Sequence, residues 1–122
     1  MTLARQRCGH AGETLAEGLL TRAGYRIVER NYRNRLGEID IVAKDGDTLV
    51  FVEVKSRRSG RFGSAKLAVT EAKQKKISRM ALAYLKAFGT TAVKARFDVV
   101  AIDAAGSVPH VELIKNAFEL RT

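Results

Sequence analysis

The sequence predicts an α/β fold, a mixed central β-sheet flanked by helices, in the order α-β-β-β-α-β-β. Three observations carry this. Apolar residues recur at helical spacing over about 9–23 and 70–88. Between and after these segments lie runs rich in Val and Ile with the twofold alternation of strands. An Asp45-Gly46 pair between two such runs signals a hairpin. The chain has 122 residues, a length that buries roughly two-thirds of the unfolded surface in one core, so a single domain over 1–122 is expected.

Each element has its own local reason. In the first helix Leu15, Leu19, Leu20 and Ala23 recur at helical spacing, and Gly24 stands where a helix stops. Tyr25 to about Arg33 reads as a strand despite its arginines. Gly37–Lys44 and Thr48–Ser56 are the two arms of the hairpin. Gly60 and Gly63 mark Ser59–Ser64 as a loop. Thr70 is placed to cap a second helix, whose inner stripe is Ile77, Met80, Ala81, Tyr84, Leu85 and Phe88, with Gly89 ending it. Lys94–Asp103 is a strand. Ala104–Ser107 turns the chain into a last strand, Val108 to about Lys115, where Pro109 suits a sheet edge.

Composition narrows the function. With 46% apolar and 29% charged residues, the chain is globular rather than disordered. No apolar run approaches the roughly 18 residues needed to cross a bilayer, and Met1–Glu13 lacks the apolar core of a secretory signal. Cys8 is the sole cysteine, which excludes an internal disulfide and a cysteine-based zinc cluster. A cytoplasmic protein without a membrane partner is the expectation. Net charge is +9. From Lys55 to Arg79 the cations Lys55, Arg57, Arg58, Arg61, Lys66, Lys73, Lys75, Lys76 and Arg79 face Glu71 alone. Arg26, Arg30, Arg33 and Arg35 form an earlier group. Such a surplus suits a polyanion, or simply a solvated surface.

The hairpin holds the chemistry. On its second arm Val50, Val52 and Val54 share one face, and Leu49, Phe51, Glu53 and Lys55 the other. On its first arm Ile39, Ile41 and Ala43 oppose Glu38, Asp40 and Val42. Charges in such strands are costly unless paired or bound to a cation. An Asp40–Lys55 or Glu53–Lys55 ion pair is one solution. A loop at Asp45-Gly46 makes paired numbers sum to 91, so that Asp40 faces Phe51 and lies diagonal to Glu53. Any odd sum keeps Asp40, Glu53 and Lys55 on one face and groups Ile39, Ile41, Ala43 and the valines on the other. Two carboxylates at roughly 4 Å repel by about 4 kcal/mol at an effective dielectric near 20. They therefore bind a cation, share a proton or sit in solvent. Hard cations bind such carboxylates together with phosphate oxygens, and a neighbouring lysine can orient or deprotonate an attacking water.

Glu13 in the first helix, then Gly37-Glu38-Ile39-Asp40, then Glu53-Val54-Lys55, resembles the PD-(D/E)xK nuclease superfamily. Within it the chain resembles the bacterial family called YraN or UPF0102. Gly12-Glu13 with Ala16, Arg30-Asn31, Phe51–Lys55, Lys73-Gln74 and Arg96-Phe97-Asp98 extend the likeness over nearly the whole chain. The resemblance implies a restriction-endonuclease-like fold, similar to archaeal-type Holliday junction resolvases. It also implies a Mg²⁺- or Mn²⁺-dependent endonuclease acting on DNA, in particular structured or branched DNA. Asp40 and Glu53 would be metal ligands, joined by Glu13 directly or through water, with Lys55 positioning or activating the water. Arg57, Arg58, Arg61, Lys66, Lys73, Lys75, Lys76 and Arg79 would grip phosphates, and Gln74 would contact the site or the substrate backbone. Glu38 is read as a strand-end carboxylate, with an outer ligand as the alternative. Where the named motif has proline, this chain has Ile39. Junction-resolving relatives act as dimers, so the resemblance admits a homodimer here.

Two other classes stay open: a non-catalytic nucleic-acid-binding module that retained the fold, and an adaptor for an acidic protein partner. His10, His110 and Cys8 lack partner motifs and are read as surface or structural. Asp98, in an apolar strand beside Arg96, is read as structural, and Tyr84 as core.

Overall fold

The structure, a computed structural model, describes residues 3–57, 69–88, 94–103 and 107–121, with the side chains of residues 12–56 and of the later segments. The elements are α1 (Leu3–Arg22), β1 (Arg26–Asn34), β2 (Gly37–Asp45), β3 (Thr48–Arg57), α2 (Glu71–Ala87), β4 (Lys94–Asp103) and β5 (His110–Phe118). They follow the expected order. Five strands form one sheet in sequence order. The β3–β4 pair is parallel and the other pairs antiparallel, so the sheet is mixed.

Each helix covers one face of the sheet. Ala16 and Leu20 of α1, with Tyr25, pack on Ile41, Ala43, Val50, Val52, Val100 and Ile102. Ile77, Met80, Ala81, Tyr84 and Leu85 of α2 pack on Val42, Leu49, Phe51, Phe97 and Val99. The central strands β2, β3 and β4 are thus apolar on both faces, as strands covered on two sides must be. Thr70 caps α2, its hydroxyl accepting the Lys73 N–H at 3.2 Å. Gly24, at φ +93°, turns the chain out of α1 into β1. Among the described residues no helix is long and apolar enough to cross a membrane.

Four expectations need correction. First, α1 starts at Leu3 rather than near residue 9, because Leu3-Ala4-Arg5-Gln6-Arg7 are good helix formers that show no apolar stripe. Second, Phe88 is the C-cap of α2 and 58% exposed; its ring only tilts against Tyr84, with centroids 4.6 Å apart. Third, β5 runs three residues further, to Phe118, while Val108 and Pro109 precede it. A register shift opposite Phe97–Val99 carries it there, with Asn116 at φ +52°.

The fourth correction is the hairpin register. Asp45 pairs with Thr48 and Ile41 with Val52, so paired numbers sum to 93 rather than 91. The loop is Gly46-Asp47, with Gly46 at φ +64° at its first position, as a type II′ turn requires. The sum remains odd, so the face assignment of β3 holds, and the register continued by one residue sets Asp40 directly opposite Glu53.

Candidate functional site

The strand alternation of β2 slips at Asp40. Ile41 and Ala43 pack under α1 and Val42 under α2, as alternation demands. Ile39 belongs under α1 by the same rule, yet it packs under α2 with its β1 partner Tyr32. The expected apolar layer of Ile39, Ile41 and Ala43 is therefore broken. The reason lies on β1. Asn31 stands across from Asp40, between the Arg30–Ile41 and Tyr32–Ile39 pairs. It has φ +53°, a left-handed conformation that Asn tolerates better than most residues.

Next to this break the β2–β3 ladder ends, and Asp40 turns its carboxylate toward β3. Asp40 Oδ2 accepts the Val54 N–H at 2.8 Å, a side chain standing where the next ladder bond would be. Its carboxyl also hydrogen-bonds with that of Glu53. Glu53 has only 12% of its side chain exposed. Burial, and then the charge and hydrogen bond of Asp40, push its pKa up to about 8 against the opposing charges of Lys73 and Lys55. The cation that pairs with Glu53 is Lys73 of α2, at 3.8 Å.

On the α1 side Asp40 meets two further acids. Single oxygens of Glu13, Glu38 and Asp40 all lie within 4.8 Å of one another, and all three residues are half-buried. Glu13 reaches this point from α1, which lies close to β3: a Cβ on Gly12 would fall 2.9 Å from Ser56 Oγ. Asp40 is thus shared between Glu53 on one side and Glu13 with Glu38 on the other. The three-acid group differs from the expected Glu13, Asp40 and Glu53 by containing Glu38. Glu38 also pairs with Arg33 at 3.3 Å and has 33% of its side chain exposed. Strict alternation already sets Glu38 on the face of Asp40, the basis for its alternative reading as an outer ligand, and the structure brings its carboxylate into the group.

Lys55 lies two residues beyond Glu53 on β3, exposed, with its charge felt at Glu53. Lys73, Lys75, Lys76 and Arg79 are exposed along α2. The helix crosses the start of β2 so closely that a Cβ on Gly37 would lie 2.7 Å from Lys76 Cε. Lys75, Lys76 and Arg79 line a hollow with Ala72 and Leu36 of the β1–β2 turn. Arg35 lies in that turn next to Leu36, and Arg33, near the end of β1, pairs with Glu38. Gln74 is placed differently. It is buried, donates to the Val69 carbonyl at 3.0 Å and accepts from Arg121 Nε at 2.7 Å. The side chain of Arg57, and Arg58, Arg61 and Lys66, fall outside the described residues.

At the other end of the sheet, Asp98 is fully buried and accepts from Tyr25 Oη, Arg96 Nε and Asn116 N at 2.7–2.9 Å. Arg96 also binds Asp45 at 2.9 Å. Four separate segments are tied together there.

Chemically, the site offers a set of hard oxygen donors, a carboxyl whose pKa is raised by burial and by Asp40, and an adjoining cationic surface. That donor set fits a small hard divalent cation better than a thiolate- or imidazole-seeking one.

The chain matches the family described as Uncharacterised protein family UPF0102 over residues 12–102. It is 54% identical over 114 residues to a UPF0102 protein of Syntrophus aciditrophicus, covering 93% of this chain and 90% of that one. A UPF0102 protein of Geobacter metallireducens is 52% identical over 120 residues, 98% of each chain. One of Moorella thermoacetica is 48% identical over 120 residues, 97% of this chain and all of its own. The family match spans every acid of the site, Lys55 and the whole of α2, and the chain belongs to the UPF0102 family.

Proposed function

We propose that this protein is a metal-dependent endonuclease of the PD-(D/E)xK type, hydrolysing phosphodiester bonds in structured or branched DNA in the cytoplasm. The observation that carries the reading is the sharing of Asp40 between Glu53 and the Glu13–Glu38 pair, beside a lysine and a basic helix. Burial first, and then the neighbouring Asp40 carboxylate, push the pKa of Glu53 up to about 8. A Mg²⁺ or Mn²⁺ ion would replace the Glu53 proton, offset the acids' mutual repulsion and neutralise charge developing on the phosphate. Asp40, Glu53 and Glu13 would hold it, with Glu38 beside them. Lys55, as a cation, would orient the attacking water through its ammonium N–H groups, and the water's proton would leave to solvent.

The cationic surface supplies the substrate's backbone contacts. Lys73 links it to Glu53, and Lys76 lies over Gly37 at the start of β2. Such contacts go to phosphates and carry no sequence information, which favours recognition of shape over sequence. Working as a homodimer would present two such surfaces to one branched substrate.

The test is a cleavage assay on linear, flapped and four-way DNA with Mg²⁺ or Mn²⁺. Cleavage that Asp40→Ala and Glu53→Ala abolish, with DNA binding retained, is the expected result. Tight, salt-sensitive DNA binding without cleavage of any substrate would favour a non-catalytic nucleic-acid-binding module. Binding of no nucleic acid at physiological salt would favour an adaptor for an acidic protein.

A further inference from the structure

Asn31 has a backbone, a register position and a side chain that all point at the acids. Its φ of +53° is a conformation that side chains rarely adopt, and it stands across the ladder from Asp40. Its amide lies between two carboxylates from different elements. With the nitrogen facing them, it donates to Glu13 Oε1 at 2.9 Å and to Glu38 Oε1 at 2.6 Å. The reverse orientation puts the amide oxygen against those same oxygens and leaves a 3.3 Å bond to Glu13 Oε2. Two acids presenting acceptors favour the donating orientation. The preceding residue grips the same helix: Arg30 Nε donates to Glu17 Oε1 at 2.7 Å. Glu13 and Glu17 are four residues apart, so neighbouring residues of β1 hold successive turns of one face of α1.

We infer that Asn31 is a positioning residue for the cation, its amide bridging Glu13 and Glu38 so that their oxygens are set beside Asp40 before the ion arrives. The inference rests on the functional reading above. An amide NH₂ carries two donors and no charge. It can hold two carboxylates together without neutralising them, which leaves their charge for the cation. Groups that orient metal ligands in this way typically contribute about 10–100-fold to metal affinity.

The experiment uses Asn31→Gly, which keeps the left-handed backbone available and removes the amide. Mn²⁺ affinity is measured by calorimetry on the full chain, with folding checked by circular dichroism. A folded variant with its Kd for Mn²⁺ raised about tenfold or more is expected. An unchanged Kd in a folded variant overturns the inference and leaves the functional reading standing. Wild-type protein that takes up no Mn²⁺ overturns both. Asn31→Asp guards against a variant that fails to fold. It tolerates the same φ but replaces the donor with a further carboxylate. Its Tm in EDTA should fall by several degrees and its Mn²⁺-induced rise in Tm should exceed that of wild type. An Asn31→Asp protein whose Tm in EDTA matches wild type overturns the bridge. A cycle of Asn31→Gly with Glu38→Gln, melted in EDTA, reads the bridge without any metal. Coupling between the two sites supports it, and strict additivity overturns it.

Discussion

Asp40 accepts the backbone N–H of Val54 through Oδ2 at 2.8 Å. This bond makes one carboxylate both a part of the sheet and a part of the site. It anchors Asp40 where β2 and β3 part, and from there the residue reaches Glu53 on one side and Glu13 with Glu38 on the other.

The two roles of Asp40 separate by substitution. Asp40→Asn retains an oxygen for the Val54 N–H and loses the charge. It should unfold within a few degrees of wild type while cleavage is lost. Asp40→Ala leaves that N–H unpaired in a half-buried place, at a cost of about 1–3 kcal/mol. Thermal melts run beside the cleavage assay check both.

Glu53 makes metal-free stability fall as pH rises. Its folded-state pKa is about 8, above the ordinary 4.5, so the folded state binds the proton more tightly. The resulting stabilisation is complete below about pH 4.5 and is lost as pH rises through about 8. The slope attributable to Glu53 is at most about 1.4 kcal/mol per pH unit. Urea unfolding in EDTA across this range should show the decline in wild type and a flatter profile in Glu53→Gln. Affinity for Mn²⁺ should strengthen over the same interval, because the ion competes with the proton.

Metal should stabilise the fold. At ten times Kd, Mn²⁺ is expected to add about 1.4 kcal/mol, a few degrees in Tm. The rise should vanish in Asp40→Ala and shrink in Glu38→Gln. A wild-type Tm that ignores millimolar Mn²⁺ and Mg²⁺ would count against the cation site.

The basic face should read out as salt dependence. Lys75→Ala, Lys76→Ala and Arg79→Ala are each expected to weaken DNA binding similarly for different sequences. For every phosphate that a variant no longer neutralises, the log–log salt slope should become shallower by about 0.9. Fluorescence anisotropy over a salt series measures this.

Asp98 is expected to matter for folding alone. Asp98→Ala removes the acceptor of the Tyr25 hydroxyl and of the Asn116 N–H and one of the two carboxylates on Arg96, and should cost about 1–3 kcal/mol or more, read by urea unfolding. Where the variant is folded, its Mn²⁺ affinity should match wild type.

What the chain's residues determined alone was everything that depends on periodicity and local chemistry. Helical spacing and the Thr70 cap place α2; Val- and Ile-rich runs place β3 and β4; the odd hairpin parity puts Asp40 and Glu53 within reach of each other. Those signals act over a few residues and survive a one-residue shift of the turn, which changes the paired sum by two and keeps its parity. Tertiary structure decided the rest. Ile39 packs under α2 rather than α1 because β2 slips at Asp40, opposite a left-handed Asn31 on another strand. Lys73 rather than Lys55 pairs with Glu53 because α2 crosses that end of the sheet. Gln74 binds Val69 and Arg121 because the chain's last residues return beside α2. Each of these interactions joins residues remote in sequence, and strand alternation carries no information about where a neighbouring strand will break it.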